Sequence, residues 1–416
     1  MPVQYKSLGV GASHHFTRSH ASLFDVSHMV QHFISGPGAI AFLETITPAG
    51  IKSLGHRSST LSALLWPGTG GIVDDTIISR LGPELFYVVT NAGCREKDLA
   101  YLTEQKAVFE KNGGEKVDWK VLDGAGLVAL QGPLSAEILQ SLVKWPEDKP
   151  EVTKLLEDSI VKKLYFGRAQ FIKIKLLNGE LSDDLLVSRG GYTGEDGFEI
   201  SIPGHNAVAV TEALLQSAGP ERLQLAGLGA RDSLRLEAGM CLYGHDLNDS
   251  TTPVEAGLSW IIGADRKKEG GFHGSDVILG QLVPASKGGT GVKERRVGFI
   301  VEGAPAREGS EVVDSDGNHI GVITSGCPSP TLKKNIAMGY IKTGFNKSGT
   351  EVEVIVRGKK RKAKVTKMPF VASKYFKEPA EKIESKKYSE EERKIIEEYE
   401  RKQEENYIEK VTKRAQ

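Results

Sequence analysis

Two adjacent acids within an apolar segment are the first candidates for chemistry. Asp74 and Asp75 lie between Gly-Gly-Ile-Val (70–73) and Thr-Ile-Ile (76–78), a composition typical of a β-strand. Because neighbouring strand residues face opposite sides of a sheet, only one of these acids can point into a given pocket. The pattern leaves two interpretations open: a hydrated acid at the edge of a strand, or a carboxylate directed at a ligand nitrogen.

A second acidic segment runs from a glycine-punctuated turn into an alternating strand. It reads Tyr192-Thr-Gly-Glu-Asp-Gly-Phe-Glu199-Ile, and the alternation places Glu199 and Ser201 on one face of the strand. A carboxylate held there can accept two parallel N–H bonds from a planar heterocycle. An ordinary exposed glutamate is the alternative.

Basic residues form two local groups. Arg231 and Arg235 stand four residues apart in a predicted helix that follows a glycine-rich turn. They can form structural ion pairs with Asp232 or Glu237, or bind a ligand carboxylate. Residues 357–362, hereafter the basic turn, hold five cations at a predicted hairpin tip. They form either a solvated turn or a docking point for an acidic partner.

Familiar cofactor motifs are incomplete. The Gly-x-Gly sequences at 9–11, 36–38 and 227–229 do not extend to Gly-x-Gly-x-x-Gly, and the early histidines do not match zinc-ligand spacing. Three cysteines, odd in number and far apart, favour a reducing compartment over a disulfide framework.

Length and charge limit the classes of protein to which the chain can belong. The chain has 416 residues, enough for about two to four domains, and 54 basic residues balance 54 acidic ones. A neutral chain lacks the overall field that would hold nucleic acid or an anionic membrane. No apolar run reaches the roughly 18 residues of a membrane span, and the start resembles neither a secretory signal nor a transit peptide. We expect a soluble protein without a readable targeting signal.

The elements that must position these groups change character along the chain. Residues 127–143 predict a strand, a turn and a helix within a mixed α/β body. A loose connection over 265–294 follows, and residues 296–367 then predict short strands of a β-barrel or sandwich. The predicted strands cover residues 297–301, 311–313, 320–324, 337–341 and 351–357.

The last forty residues form a separate segment. Residues 377–416 contain 11 basic and 12 acidic residues and no glycine. A thin apolar stripe runs through Ile395, Tyr399, Tyr407 and Val411, and Glu390/Lys394, Glu397/Arg401 and Glu398/Lys402 are spaced for ion pairs. This pattern predicts a solvated single helix, with a weak coiled coil or partner helix as the alternative.

Seven ordered motifs resemble those of the aminomethyltransferase (T protein) family of the glycine cleavage system, in its eukaryotic mitochondrial form. They occupy residues 23–29, 70–75, 89–94, 192–199, 229–239, 325–330 and 367–371. The resemblance implies an α+β fold: a three-domain cloverleaf of two α/β domains and a C-terminal β-barrel, here with a charged helical tail. It predicts a discontinuous first domain (1–25 and 121–264), a second α/β domain (26–120), a linker and barrel (265–376) and the extension (377–416). Family members begin with a further segment, so we expect the first domain to be truncated here.

The resemblance also implies the activity. The methylene of an aminomethyl group on the lipoyl arm of H protein would pass to tetrahydrofolate, as co-substrate, with release of ammonia and without a metal. It implies H protein as partner, P and L proteins through the complex, and the mitochondrial matrix as location.

Site residues follow from the matching motif positions. Asp75 matches the family's essential carboxylate, Glu199 the residue that grips the pterin edge, and Arg231 a pocket arginine. Other pocket-lining positions match Met29, Leu61, Val89, Asn91, Tyr192, Trp260 and Tyr375.

Two other functions remain open at this point. The chain can be a non-catalytic scaffold that binds folate or H protein. It can also be a folate-dependent iron–sulfur assembly factor of the same fold, although the cysteine motif of such factors is replaced here by Gly191-Tyr-Thr-Gly-Glu-Asp196.

Overall fold

The computed structural model describes residues 2–144, 152, 163–379 and 389–412. Within them the chain forms two sheets and a closed barrel. The helices are α1 Val10–Ser19, α2 Ala39–Ile46, α3 Arg95–Lys111, α4 Ser135–Leu142, α5 Ala207–Ala218, α6 Leu228–Glu237, α7 Arg266–Glu269, α8 Ser275–Leu282 and α9 Glu390–Thr412.

The first sheet has seven strands in the order β12-β1-β7-β11-β10-β9-β8. One face packs under α4 and α5, and the other faces the second sheet. The prediction for residues 127–143 is confirmed, because β7 turns at Gly132 and leads into α4. The strands are β1 Ala21–Asp25, β7 Gly126–Gln131, β8 Val143–Lys144, β9 Ala169–Ile174, β10 Leu185–Arg189, β11 Gly197–Ile202 and β12 Leu223–Leu225.

The second sheet is antiparallel, in the order β3-β4-β5-β2-β6. Its Ile78 and Val88 face packs on α2 and α3, whereas Tyr87 and Val89 face the first sheet. The two sheets therefore share one apolar layer. The strands are β2 Val30–Ser35, β3 Ser59–Leu65, β4 Ile72–Gly82, β5 Leu85–Thr90 and β6 Asp118–Val121.

The C-terminal unit is a closed barrel in the order β13-β16-β15-β14-β17-β18, in which β18 returns to β13. The five predicted strands are confirmed, and the sequence analysis missed the sixth. On β18 the cations Lys360, Lys362 and Lys364 point outward, so only Ala363 and Val365 mark it as a barrel strand. The strands are β13 Glu294–Val301, β14 Glu311–Val313, β15 His319–Ser329, β16 Lys334–Lys342, β17 Glu351–Val356 and β18 Lys359–Thr366.

The prediction of a solvated C-terminal helix is wrong. Helix α9 forms, but its stripe packs on the body of the same chain: Tyr407 is fully buried and joins the apolar layer between the sheets. Polar contacts reinforce this docking, since Arg57 donates to Glu400 at 3.0 Å and Gln403 donates to Asp184 at 3.1 Å. The ion pairs Glu390/Lys394 and Glu398/Lys402 form as predicted, whereas Arg401 lies nearest Glu405 at 4.0 Å.

None of the helices in the described residues has both the length and the apolar character that a membrane crossing requires.

Candidate active site

Strand register places three of the expected site residues, Leu61, Asp75 and Val89, on one face of the second sheet, and two more adjoin its strands. Leu61 pairs with Ile77, Ile77 pairs with Val89, and Val89 pairs with Gln31, so these side chains form one row across four strands. Asp75 lies two residues before Ile77 and Asn91 two residues after Val89, while Met29 immediately precedes β2. By strand alternation the Asp75 side chain faces the first sheet, and Asp74 faces the helical layer.

Asn91 connects the two adjacent acids. Its side-chain Nδ2 donates to Asp75 Oδ1 at 2.8 Å and to Asp74 Oδ1 at 2.9 Å, and its backbone N–H donates to Asp74 Oδ2 at 2.7 Å. Both neighbours are acceptors, so the amide must present its NH₂ group to them. Asn91 thus fixes the position of the Asp75 carboxylate.

The carboxyl of Asp75 has a pKa near neutral pH. Burial, followed by the negative charge of Asp74, raises the pKa of Asp75 to about 7, although the Asn91 hydrogen bond opposes the rise. A carboxyl with this pKa both releases and accepts protons near neutral pH, as a general acid or base must.

Glu199 and Arg231 approach the same gap from the first sheet. Glu199 pairs with Ala129 of β7, whose side chain belongs to the layer between the sheets, so Glu199 faces that layer too. Burial raises the pKa of Glu199 and the nearby Arg231 charge lowers it. Within the described residues no hydrogen bond reaches the Glu199 carboxylate, and Arg231 Nη1 is buried without a partner. This pair therefore retains hydrogen-bonding capacity for a ligand.

Tyr192 lies between the two groups. The Arg231 guanidinium stands 4.7 Å from the centre of its ring, and its hydroxyl donates to the Cys241 carbonyl. Burial raises the pKa of Tyr192, and the charge of Asp75 contributes to the rise. Tyr192 is therefore close to both Arg231 and Asp75.

The two arginines of α6 have separate roles. Arg235 donates to Asp232 at 2.9 Å and to Asp246 at 2.6 Å, which confirms the structural ion pair for this residue. Glu237 does not pair with either arginine. It accepts from Arg18 at 2.7 Å, and hydrogen bonds from His14 and Ser329 lower its pKa to about 2 against the opposing effect of burial.

Two expected site residues make no described contact with the acids of the site. Trp260 sits in a short 3₁₀ turn against β3, with its side chain 63% exposed, and Tyr375 stacks on Phe166 with ring centres 4.2 Å apart. The hydrogen bonds and ring contacts of the described residues join neither to Asp75 or Glu199. Their assignment to the pocket stays a prediction.

Sequence reasoning missed Asp98, a third buried acid behind Asp75. It lies on the buried face of α3 with Tyr101, Leu102 and Gln105. The spacing of these four residues, at i, i+3, i+4 and i+7, is the signal that could have identified Asp98 as an inward-facing position.

Comparisons with known proteins agree with this architecture. Residues 1–266 match the GCVT N-terminal domain, and residues 294–372 match the glycine cleavage T-protein C-terminal barrel domain. A probable mitochondrial aminomethyltransferase from Schizosaccharomyces pombe is 49% identical over 377 residues, covering 91% of this chain and 88% of the relative. The mitochondrial aminomethyltransferase from Pisum sativum is 47% identical, covering 91% and 85%.

A solved structure shares the fold. The glycine cleavage system aminomethyltransferase T from Bartonella henselae superimposes with a TM-score of 0.76 at 36% identity, covering 91% of this chain and 93% of that one. The matched region of the chain holds both the two-sheet site and the barrel.

Proposed function

We propose the reaction of this protein from one premise: the chain belongs to the glycine cleavage T-protein family. It is an aminomethyltransferase, an enzyme of one-carbon transfer. Its co-substrate is tetrahydrofolate, and its aminomethyl donor is the lipoyl arm of H protein.

The reaction moves one carbon and two protons. The methylene loses its bonds to ammonia and to the lipoyl sulfur and gains bonds to two folate nitrogens, which gives 5,10-methylenetetrahydrofolate. The two protons from those nitrogens end on the ammonia and on the thiol. A carboxyl with a pKa of about 7, as Asp75 has because of burial and the Asp74 charge, is suited to carry such protons. When ionised it also stabilises a cationic methylene intermediate.

One observation supports folate recognition above the others. Glu199 and Arg231 lie near each other, largely buried, with unsatisfied hydrogen-bonding capacity in the described structure. A pterin ring offers N–H donors beside acceptor atoms, so its edge matches an acceptor carboxylate and a donor guanidinium. Buried polar groups without partners are costly, and a bound pterin would satisfy both.

Partner and location follow from the same premise. The relatives are named mitochondrial enzymes, and we assign this protein to the mitochondrial matrix. H protein is the direct partner, with P and L proteins in the same system. The basic turn is exposed at the end of the β17–β18 hairpin, where it can receive an acidic surface of H protein.

The test is tetrahydrofolate-dependent ammonia release from aminomethyl-loaded H protein. We expect release by the natural chain and a loss of about 10²-fold or more in kcat for Asp75→Asn, because the amide cannot carry a proton. Asp118→Asn, which changes an acid exposed on the same sheet, is the matched control and should retain activity. Glu199→Gln should raise KM for tetrahydrofolate more than it lowers kcat.

Calorimetric folate binding separates the competing functions. A protein that binds folate and H protein but releases no ammonia would be a scaffold, and the enzymatic proposal would be wrong. A protein that binds folate and supports iron–sulfur assembly instead would indicate the third function.

A further inference from the structure

Asp98 is a buried acid directly behind the site. It lies in the first turn of α3 and has no exposed surface, and neither of its buried carboxyl oxygens has a hydrogen bond of ordinary length within the described residues, although the Thr90 hydroxyl is close enough to lower its pKa. Its carboxyl, the Asp74 carboxyl and the Cys94 sulfur have ligand atoms within 4.8 Å of one another. An ionised carboxylate without a donor is strongly disfavoured in such a place.

The two buried acids differ in how they are satisfied. Burial raises the pKa of Asp74, but Asp74 accepts two hydrogen bonds from Asn91, at 2.7 and 2.9 Å, which lower it, so Asp74 is better suited than Asp98 to carry the negative charge. A proton on Asp98 would turn an unsatisfied acceptor into a donor, with Asp74 within reach. Burial, the negative charge of Asp74 and the bond between the two carboxyls raise the pKa of Asp98 to about 9.

We propose that Asp98 is a positioning residue: it remains a neutral carboxylic acid and donates its O–H to the Asp74 carboxylate. This bond keeps the charge on Asp74, and Asp74 holds Asn91 against Asp75. The proposal rests on the proposed function only for the role of Asp75.

Through these contacts, the protonation of Asp98 affects the pKa of Asp75 in the pocket. The charge on Asp74 is a cause of the raised pKa of Asp75, and it persists only while Asp74 stays ionised. Other titratable groups face these contacts: Cys94, Lys97 and Tyr101 surround Asp98, while Tyr192, Cys241 and Asp246 face Asp75. Of these groups, only the Cys94 thiol also lies beside Asp74 in the described residues, and against the effect of burial its hydrogen bond to Asp74 acts with those from Asn91 and Asp98 to lower the pKa of Asp74.

A bound metal ion is the competing explanation for the cluster, since two carboxylates and a thiol are possible ligands. Burial, together with the charges of Asp74 and Asp98, raises the pKa of Cys94 well above its usual range. A thiol and a carboxylic acid that both hold their protons favour proton sharing over metal binding.

Infrared spectroscopy of carboxyl groups tests the proton without any turnover. At pH 8 we expect the natural chain to show the C=O band of a buried protonated carboxyl, which Asp98→Asn removes and which fades as the pH rises through about 9. Absence of the band, or its persistence in Asp98→Asn, overturns the proposal. So does stoichiometric zinc that Asp98→Asn loses, measured by elemental analysis.

The pH profile of kcat/KM tests the effect on Asp75. Asp98→Leu removes the donor, so Asp74 takes up a proton and the acid-limb pKa should fall by about one unit or more. Asp98→Asn keeps an N–H donor and should leave the pKa of the acid limb unchanged. Asp74→Asn should lower this pKa, as Asp98→Leu does. A residue with only a structural role would change stability and kcat without moving the limb, and that result contradicts the proposal.

The proposed function and the proposed role of Asp98 can fail independently of each other. If the natural chain shows no turnover with H protein, the proposed function is wrong, and the infrared band still decides the state of Asp98.

Discussion

The burial of Tyr407 predicts that this side chain makes the largest single contribution to the docking of α9 on the body. Its ring lies against Phe171 and Phe33, with ring centres 5.3 and 6.2 Å away. The Ser201 hydroxyl donates to Gln31 Oε1, so the Tyr407 hydroxyl donates to Ser201 Oγ at 2.6 Å. Replacing Tyr407 by Phe or Ala separates the hydrogen bond from the packing.

The two replacements should differ in magnitude. Tyr407→Phe loses one neutral hydrogen bond, at a cost of about 1 kcal/mol, because Ser201 keeps its bond to Gln31. Tyr407→Ala also empties a fully buried site and should cost about 3–5 kcal/mol, in line with aromatic truncations in cores. These costs apply to undocking of α9, since a helix of this composition has little stability without packing.

Amide hydrogen exchange of residues 390–412 measures the undocking. We expect about a fivefold faster exchange in Tyr407→Phe and a hundredfold or faster exchange in Tyr407→Ala. Arg401→Ala, which truncates an exposed side chain of the same helix, is the control and should change little. If Tyr407→Ala exchanges like the natural chain, α9 is not held by this residue and the reasoning fails.

Two further predictions concern the barrel and its partner. Asp246→Asn leaves Arg235 without its buried counter-charge and should lower the free energy of unfolding by about 3–5 kcal/mol. Asp232 pairs with the same arginine from an exposed position, so Asp232→Asn should lower it by less than about 1 kcal/mol. Urea unfolding measures both changes, and equal costs would contradict the burial argument. Replacing Lys359 and Lys362 of the basic turn by Gln should raise KM for H protein about three- to tenfold and weaken the dependence of this KM on salt. The same change at Lys333 and Lys334, in another barrel hairpin, is the control and should alter neither. An unchanged salt dependence in the first variant would exclude the basic turn as the docking site.

Local patterns predicted the elements of the site, and long-range pairing decided its details. The alternation at Asp74 and Asp75 correctly predicted that they face apart, but only the order of the second sheet determines that Asp75 faces the pocket. The turn before Glu199 and the helix of Arg231 were likewise readable from local spacing. The docking of α9 was not predictable in this way, because Tyr407 packs on Phe33 of β2 and Phe171 of β9 and bonds to Ser201 of β11, and these strands are far apart in sequence.

Asn91 explains how two like charges persist at adjacent positions. Strand geometry sends Asp74 and Asp75 to opposite faces, yet both carboxylates lie within 2.9 Å of the same amide nitrogen. The NH₂ group can donate one hydrogen to each; an aspartate there would add a third negative charge, and an apolar side chain would satisfy neither. The pocket acid thus gains its neutral-range pKa from the Asp74 charge and from burial, while Asn91 limits the rise. Asp98 completes this hydrogen-bonded group, because its proton allows Asp74 to remain charged in a buried layer.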